Sequence, residues 1–198
     1  RRQRQMCIRD SWQFNHDPDP RYYHLDALQG TYTITTREVC TELTQAVNTL
    51  TQRMSYPSCA AEVTVDASAL KEGDGAGLCA LQSCYAAVGI TKRHGKYEVL
   101  MLDKKEDGIF DMTEGTVVES HQMDFRLEAD FCNMKDEARC YYRVNKGDWL
   151  PIGTVHKLYF KLDHFTGCRF GLFCYAAEKT GGSACFRDFK YYDVDEIS

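Results

Sequence analysis

The stretch His164–Phe189, HFTGCRFGLFCYAAEKTGGSACFRDF, decides the fold of this chain. Its first run, RFGLFCYA at 169–176, is largely apolar at odd and even positions alike, which is typical of a strand covered on both faces. The turn EKTGG follows, and its two glycines, Gly181 and Gly182, tolerate positive φ. A second apolar run, ACFRDFKYY at 184–192, comes next. The pattern predicts two strands that pair antiparallel as a terminal hairpin at the centre of a β-sandwich.

The rest of the chain repeats this theme of short apolar strands separated by turns. Strand patterns such as 60–68 (AAEVTVDAS), 85–93 (YAAVGITKR) and 138–144 (ARCYYRV) recur at the spacing of about 8–12 residues that is typical of sandwiches and barrels. Residues 38–50 fit either a short helix or a loop that leads into a strand, and we favour the second interpretation. The sequence therefore predicts an all-β, antiparallel sandwich or barrel.

Length and charge limit the domain organisation and the partners. The 198 residues fit one sandwich domain over 11–198, preceded by a basic linker or arm over 1–10. The net charge is -5 and is spread along the chain, which argues against a nucleic-acid or anionic-membrane surface. No run of about 18 apolar residues is present, so no membrane-spanning helix is expected.

The chain contains ten cysteines, and most of them lie inside apolar, strand-like runs. No CxxC pair and no cysteine–histidine cluster has the spacing of a zinc site. We expect mostly free, buried thiols, although one or two cross-strand bridges stay open. Free thiols suit a reducing or anaerobic setting, which leaves two locations open: secreted or cell-associated under anaerobic conditions, or cytoplasmic.

Catalytic motifs are missing from the sequence. The six histidines have no HExxH spacing, and neither GxSxG nor a Gly-rich phosphate loop is found. Acidic residues alternate along two predicted strands, and a polar sheet face explains them best: Glu62, Asp66, Glu128 and Asp130. A self-contained hydrolase would need two carboxyl groups that flank one cleft, so it is the least favoured of three functional hypotheses.

Aromatic residues and loop carboxylates provide the remaining candidates. Tyr141 and Tyr142 are adjacent in a strand and must point to opposite faces, whereas Trp149 is expected to pack at the end of a hairpin. Phe165 lies in a loop, where it either plugs its own domain or contacts something else. Asp74 and Asp188 are the hard oxygen ligands that a calcium ion would use.

Several segments, in this order, resemble the C-terminal β-sandwich of family 43 glycoside hydrolases, which are β-xylosidases and α-L-arabinofuranosidases. The resemblance covers roughly residues 11–192. It rests on these segments: WQFNHDPD at 12–19, QAVNTLTQR at 45–53, AAEVTVDASALKEGDGAGLCALQSCYAAVGI at 60–90, ARCYYRVNKGDWLPIG at 138–153, and the run from His164 onward.

The resemblance implies a concanavalin A-like (laminin G-like) jelly roll. It implies that the catalytic carboxylates lie on a separate five-bladed propeller, and that the sandwich loop His164-Phe165-Thr166 faces the pocket of that propeller. The segment WQFNHDPD resembles the junction that leads out of the propeller, so Trp12, Asn15 and His16 are expected at the domain interface.

Two further hypotheses follow from this resemblance and from the aromatic content. The first is a non-catalytic accessory module of a xylan- or arabinoxylan-degrading hydrolase, with the propeller and a plant polysaccharide or oligosaccharide as partners. The alternative is a free-standing carbohydrate-binding module that grips xylan or a related polysaccharide. No cofactor is expected to be required, and a structural calcium ion is possible. The candidate sugar-binding residues are Gln52, Gln82, Tyr85 and Tyr142, with Trp12 as a further aromatic.

Overall fold

A computed structural model describes residues 12–159 and 167–193, so the expected linker or arm at 1–10 lies outside the described residues. The described chain is almost all strand. In chain order the strands are β1 (Trp12–Phe14), β2 (Tyr23–Asp26), β3 (Thr31–Thr35), β4 (Leu50–Arg53), β5 (Ser58–Asp66), β6 (Gly75–Leu81), β7 (Tyr85–Arg93), β8 (Lys96–Lys104), β9 (Phe110–Met112), β10 (Thr116–Val118), β11 (Gln122–Asp130), β12 (Glu137–Arg143), β13 (Leu150–Lys157), β14 (Arg169–Tyr175) and β15 (Ser183–Asp193). Short 3₁₀ turns occupy Pro20–Tyr22, Leu43–Gln45 and Cys132–Met134.

The strands form two sheets in which neighbouring strands pair antiparallel. One sheet has eight strands in the order β1-β4-β14-β6-β7-β8-β10, with β9 also paired to β8. The other has seven strands in the order β13-β12-β11-β5-β15-β3-β2. The all-β antiparallel sandwich predicted from the sequence is therefore confirmed.

The main core lies between the two sheets. Alternate residues of each strand point inward, as the two-residue period of a strand requires. Ala76, Leu78 and Ala80 of β6 face inward, and so do Phe170 and Leu172 of β14. The largest fully buried side chains between the sheets are Tyr32, Phe125, Phe170, Phe186, Ile34, Leu50, Leu78, Ile90, Met101 and Met123.

A second apolar cluster lies on the outer face of the eight-stranded sheet. Residues 36–49, which we call the strap, run across this face: Val39 forms a bridge with Ala176, and Glu42 pairs with Lys104 at 2.7 Å. Leu43 of the strap belongs to one buried cluster with a set of outward-facing side chains: Cys79, Leu81, Tyr85, Ala87, Leu100, Leu102 and Phe173. Strand β14 is thus covered on both faces, as its sequence predicts, and the loop-then-strand interpretation of residues 38–50 is confirmed.

Two glycines let aromatic rings lie flat on the same outer face. A Cβ added at Gly75 would lie 2.7 Å from the ring of Tyr175, and one added at Gly89 would lie 2.6 Å from the Ala76 carbonyl oxygen and 3.2 Å from the ring of Phe173. The two rings stack with their centroids 6.1 Å apart. The glycines therefore remove side chains where the rings and a neighbouring strand come close.

The predicted terminal hairpin is wrong. Strand β14 pairs with β4 and β6 in the eight-stranded sheet, whereas β15 pairs with β3 and β5 in the seven-stranded sheet. The segment between them, 176–182, crosses from one sheet to the other instead of making a tight turn. The alternation of residues predicts strands, but it does not specify which sheet each strand joins.

The cysteines are confirmed as mostly free, buried thiols. The buried ones that form no disulfide are Cys40, Cys59, Cys79, Cys84, Cys140, Cys168 and Cys174. Burial raises the pKa of Cys140 and that of Cys168 to about 12, so both thiols stay protonated at neutral pH. Within residues 12–159 and 167–193, no helix has the length and apolarity needed to span a membrane.

Candidate domain-docking site

One end of the sandwich gathers both ends of the described chain. Strand β1 begins there at Trp12, and β15 ends there at Asp193. The backbone N–H of Met54 donates to the carbonyl of Cys168 at 3.1 Å, and that of Ser55 donates to the Tyr191 hydroxyl at 2.8 Å. The first bond extends the pairing of β4 with β14, and the second links the residue after Met54 to β15 of the other sheet, at the end of the sandwich that we call the basal end. Strand β13 ends here at Lys157, and β14 begins here at Arg169.

The predicted pocket-facing loop lies outside the described residues. His164, Phe165 and Thr166 all fall within 160–166, so their role stays a prediction. The structure does fix the points where this segment leaves and rejoins the sandwich. The N–H of Leu158 donates to the Asp136 carbonyl at 2.7 Å, and Arg169 of β14 lies opposite Arg53 of β4.

The predicted interface residues lie on and after the first strand. Trp12 is half-buried, and its ring meets Phe189 edge-on with 4.6 Å between centroids. Asn15 and His16 are exposed; the Asn15 N–H donates to Thr49 at 3.0 Å, and His16 Nε2 lies 2.6 Å from the Thr44 carbonyl oxygen. Trp12 therefore packs into its own domain, while Asn15 and His16 are fixed to the strap. Contact with another domain stays a prediction for all three.

The sugar-binding candidates do not form a surface. Tyr85 is only 2% exposed because the strap residue Leu43 covers it, and Gln52 is 9% exposed because its strand position faces the core. Tyr142 points inward against the core, whereas its neighbour Tyr141 lies on the outer face. Gln82 is half-buried beside the β6–β7 turn. Tyr85 and Gln52 therefore present almost no surface to a sugar, and sugar binding by the four candidates stays a prediction.

The two calcium candidates lie apart. Asp74 is fully buried against Gly182, and its Oδ2 accepts the Lys71 N–H at 2.8 Å. Burial raises the pKa of Asp74, and its Oδ1 has no hydrogen-bond partner among the described residues. Asp188 lies six residues beyond Gly182, at a bulge in β15 where its φ is 54°. The described residues contain no group of three or more His, Cys, Asp or Glu that could hold a metal, so structural calcium stays a prediction without a formed site.

A cleft of about 410 Å³ opens at the basal end beside the start of the 160–166 segment. Behind it, Asp103 accepts a hydrogen bond from the buried His156, with Nδ1 2.6 Å from Oδ1. The cleft thus carries charges of both signs at the end where the chain enters the sandwich. Its lining residues are Asp103, Lys105, Glu106, Asp107, Val155, Lys157 and Tyr159.

The outer face of the seven-stranded sheet carries a polar and aromatic network. Arg126 of β11 pairs with Glu62 of β5 at 2.5 Å and with Glu128 at 2.7 Å. The Tyr192 hydroxyl donates to Glu62 at 3.3 Å, and Tyr141 lies directly opposite Arg126 in the register. Although burial lowers the pKa of Arg126, the two carboxylates outweigh it and raise that pKa. The polar sheet face predicted for Glu62 and Glu128 is confirmed.

A second polar group on this face is centred on Asp124. Its carboxylate accepts hydrogen bonds from Thr64 at 2.6 Å, Arg143 at 2.8 Å and Lys146 at 2.9 Å. Burial alone would raise the pKa of Asp124, but these donors outweigh burial and lower it. The Arg143 guanidinium lies 4.2 Å from the ring centre of Trp149, so that ring packs at the hairpin end as predicted.

Tyr141 and Arg169 were not among the candidate site residues predicted from the sequence. Tyr141 could have been chosen over Tyr142, because Tyr142 shares its strand face with the apolar Ala138 and Cys140. Arg169 also carried a signal, since a cation at the start of an otherwise apolar strand needs an explanation. No local pattern indicated that Tyr85 is buried, because the strap that covers it is distant in sequence.

The geometry defines a class first: a concanavalin A-like antiparallel sandwich domain. Residues 7–192 match the family model described as the beta xylosidase C-terminal concanavalin A-like domain, and the chain belongs to this family. It is therefore the type of domain found as the C-terminal module of family 43 glycoside hydrolases. A search of curated proteins finds no match.

Solved structures agree with this assignment. A bifunctional GH43-CE protein of Bacteroides eggerthii is 38% identical, with a TM-score of 0.87, and the alignment covers 95% of this chain and 24% of that chain. A GH43 glycoside hydrolase engineered to display both endo-xylanase and exo-arabinofuranosidase activity is 25% identical, with a TM-score of 0.82 over 93% of this chain and 38% of that one. The chain thus spans well under half the length of these hydrolases.

A further structure shows the fold forming nearly a whole chain. A functionally unknown protein of Saccharomyces cerevisiae is 14% identical, with a TM-score of 0.67, and the alignment covers 93% of this chain and 96% of that chain. At this identity the similarity concerns the fold alone.

Proposed function

We propose that this chain is the non-catalytic sandwich module of a family 43 glycoside hydrolase that acts on xylan or arabinoxylan. The module packs through its basal end on a catalytic five-bladed propeller, and its loop His164-Phe165-Thr166 closes one wall of the propeller's pocket. Its contribution is to exclude water and position the sugar, not to transfer a proton.

One observation supports this proposal: the start of the first strand, at Trp12, and the start of β14, at Arg169, both lie at the basal end. A preceding domain would reach the sandwich through β1, whose residue Trp12 lies opposite Gln52. Arg53, next to Gln52, lies opposite Arg169, only three residues after Thr166. A domain attached at β1 would therefore lie close to Arg169, where the chain rejoins the sandwich after residue 166.

The test is Phe165→Ala in the complete hydrolase, assayed on xylo-oligosaccharides. We expect kcat/KM to fall by about tenfold or more, because an open pocket admits water and holds the sugar less firmly. Thermal unfolding should be unchanged, since Phe165 would act on the other domain. Leu28→Ala is the matched control: it removes a fully exposed apolar side chain at the β2–β3 turn. Wild-type kinetics in the Phe165 variant would refute the loop's role.

A second candidate function is carbohydrate binding by the sandwich itself, and the outer face of the seven-stranded sheet favours it. Tyr141 and Tyr192 are both partly exposed there and flank the Arg126–Glu62–Glu128 network. Aromatic faces beside planar, charged hydrogen-bonding groups are the combination that sugar rings and hydroxyls require.

Isothermal titration calorimetry with xylohexaose and arabinoxylan tests this second function. Saturable heat in the wild-type chain, with a Kd that is at least fivefold higher in Tyr192→Ala, would support a sugar site on this face. Tyr22→Ala is the control, because Tyr22 stacks with Arg21 in the 3₁₀ turn before β2. Absence of heat with every ligand, or equal binding by both variants, would exclude this face as the sugar site.

A further inference from the structure

Arg169 occupies an unusual position for a cation. It begins β14, it is only 9% exposed, and it lies on the outer face of the eight-stranded sheet at the basal end. Its Nε donates to Thr51 Oγ1 at 2.9 Å, and the Thr51 hydroxyl donates to the Gln13 carbonyl at 2.8 Å. The guanidinium is therefore held in place by β4 and, through Thr51, by the first strand of the domain.

Nothing in the described chain neutralises this charge. The residue directly opposite Arg169 in the register is another cation, Arg53. The ion pairs formed within residues 12–159 and 167–193 include neither arginine, and the two Nη nitrogens of Arg169 donate to no described residue. Burial, and then Arg53, lowers the pKa of Arg169, yet a guanidinium stays charged at neutral pH.

A buried charge in a folded protein is normally paired, because its desolvation is costly. Like charges on opposite cross-strand positions add a further cost. The unpaired state of Arg169 is unusual in a chain with a net charge of -5, because its acidic residues outnumber its basic ones. This arrangement is typical of an unoccupied interface. The guanidinium of Arg169 is held in a fixed orientation, and a second, exposed cation lies beside it.

We propose that Arg169 and Arg53 together bind a carboxylate of the catalytic domain that docks on the basal end. This inference rests on the proposed function and adds the chemistry of the contact. The Nη nitrogens of Arg169 match the two oxygens of one carboxylate, and the exposed Arg53 attracts the same group from a distance. A protein carboxylate fits better than a free anion, because docking excludes the water that would otherwise solvate the pair.

Arg169→Met tests the inference through two measurements of opposite sign. In the isolated chain, the variant removes an unpaired, partly desolvated charge, so Tm should rise by about 2–4 °C. When binding to the separately produced catalytic domain is measured by calorimetry, the Kd of the variant chain should be at least tenfold higher than that of the wild-type chain. Arg169→Lys keeps the charge but loses the fork and should be intermediate. Arg139→Met is the control, since Arg139 is an exposed cation that pairs with Glu137 at 3.4 Å on the other sheet.

The outcomes separate the alternatives. If the wild-type chain docks and Arg169→Met docks with the same Kd, this inference is overturned and the proposed function stands. If the wild-type chain does not dock, both are refuted. The Tm of the isolated chain could instead fall in Arg169→Met, fall equally in Asp163→Asn, and fall no further in the double variant. That result would show that the chain's own Asp163 carboxylate is the partner, and it would overturn the inference. A rise in Tm with 50 mM glucuronate at constant ionic strength, lost in Arg169→Met while docking persists, would assign the site to an acidic sugar and also overturn the inference.

Discussion

Leu43→Ala should weaken the packing of the strap on the sandwich without disturbing the two sheets. Leu43 is the strap residue that closes the outer cluster, and it is 4% exposed. Its partners include Tyr85, Leu102 and Phe173, which would otherwise face water. The variant therefore tests whether burial under the strap stabilises the domain.

The expected loss of stability follows from the chemistry of the deleted atoms. Burying a leucine side chain contributes about 1.5–3 kcal/mol, and a Leu→Ala change in a core costs about 2–5 kcal/mol once the cavity is included. The strap lies at the surface and can relax toward the sheet, so the lower part of this range applies. We expect a loss of about 2–3 kcal/mol, which corresponds to a fall in Tm of about 5–10 °C for a domain of this size.

Urea unfolding followed by fluorescence and by far-UV circular dichroism measures this loss. Leu28→Ala is the matched control, because Leu28 is 100% exposed and the same atoms are deleted. The control should differ from wild type by less than about 0.5 kcal/mol. A loss below about 1 kcal/mol in Leu43→Ala, or an equal loss in both variants, would refute the view that the strap is an integral third layer.

Two further predictions concern buried ionisable groups. Burial raises the pKa of Asp74 above the value of 3.8 expected for the unfolded chain, so its ionisation weakens the fold and stability is lost as the pH rises through the folded pKa. Asp74→Asn should therefore match or exceed wild-type Tm at pH 7, and this difference should shrink as the pH falls toward 4; a variant that is markedly less stable at pH 7 would contradict the assignment. In a Cys7→Ser, Cys132→Ser background, Ellman's reagent should label the half-buried Cys185 first, while Cys140 and Cys168 react only on unfolding; fast native labelling of either buried thiol would contradict their burial.

Local pattern was sufficient for the strands and for one face of each sheet. The alternation in AAEVTVDAS at 60–68, and the one that includes Glu128 and Asp130, correspond to β5 and β11, which lie side by side with Glu62 opposite Arg126. The two-sided apolar pattern of RFGLFCYA correctly indicated a strand covered on both faces. These successes share a cause, since burial of one strand face is decided by residues two positions apart.

Long-range arrangement was not contained in local pattern. The segment 176–182 carries turn residues, yet it crosses between sheets, because sheet membership depends on strands far away in sequence. Tyr85 was expected to be exposed, but Leu43, 42 positions earlier, covers it. The unpaired state of Arg169 became visible only once β4 brought Arg53 beside it. Each failure involves partners that the sequence separates and the fold brings together.

We propose that this domain serves a catalytic domain and performs no hydrolysis itself. This proposal is tested by measuring kcat/KM for p-nitrophenyl β-D-xylopyranoside with the separately produced catalytic domain, titrated with this chain. We expect that the chain alone releases no p-nitrophenol and that its addition raises kcat/KM along a saturable curve. A chain that hydrolyses the substrate by itself, or a catalytic domain whose kinetics stay constant at saturating concentrations of the chain, would contradict the proposal.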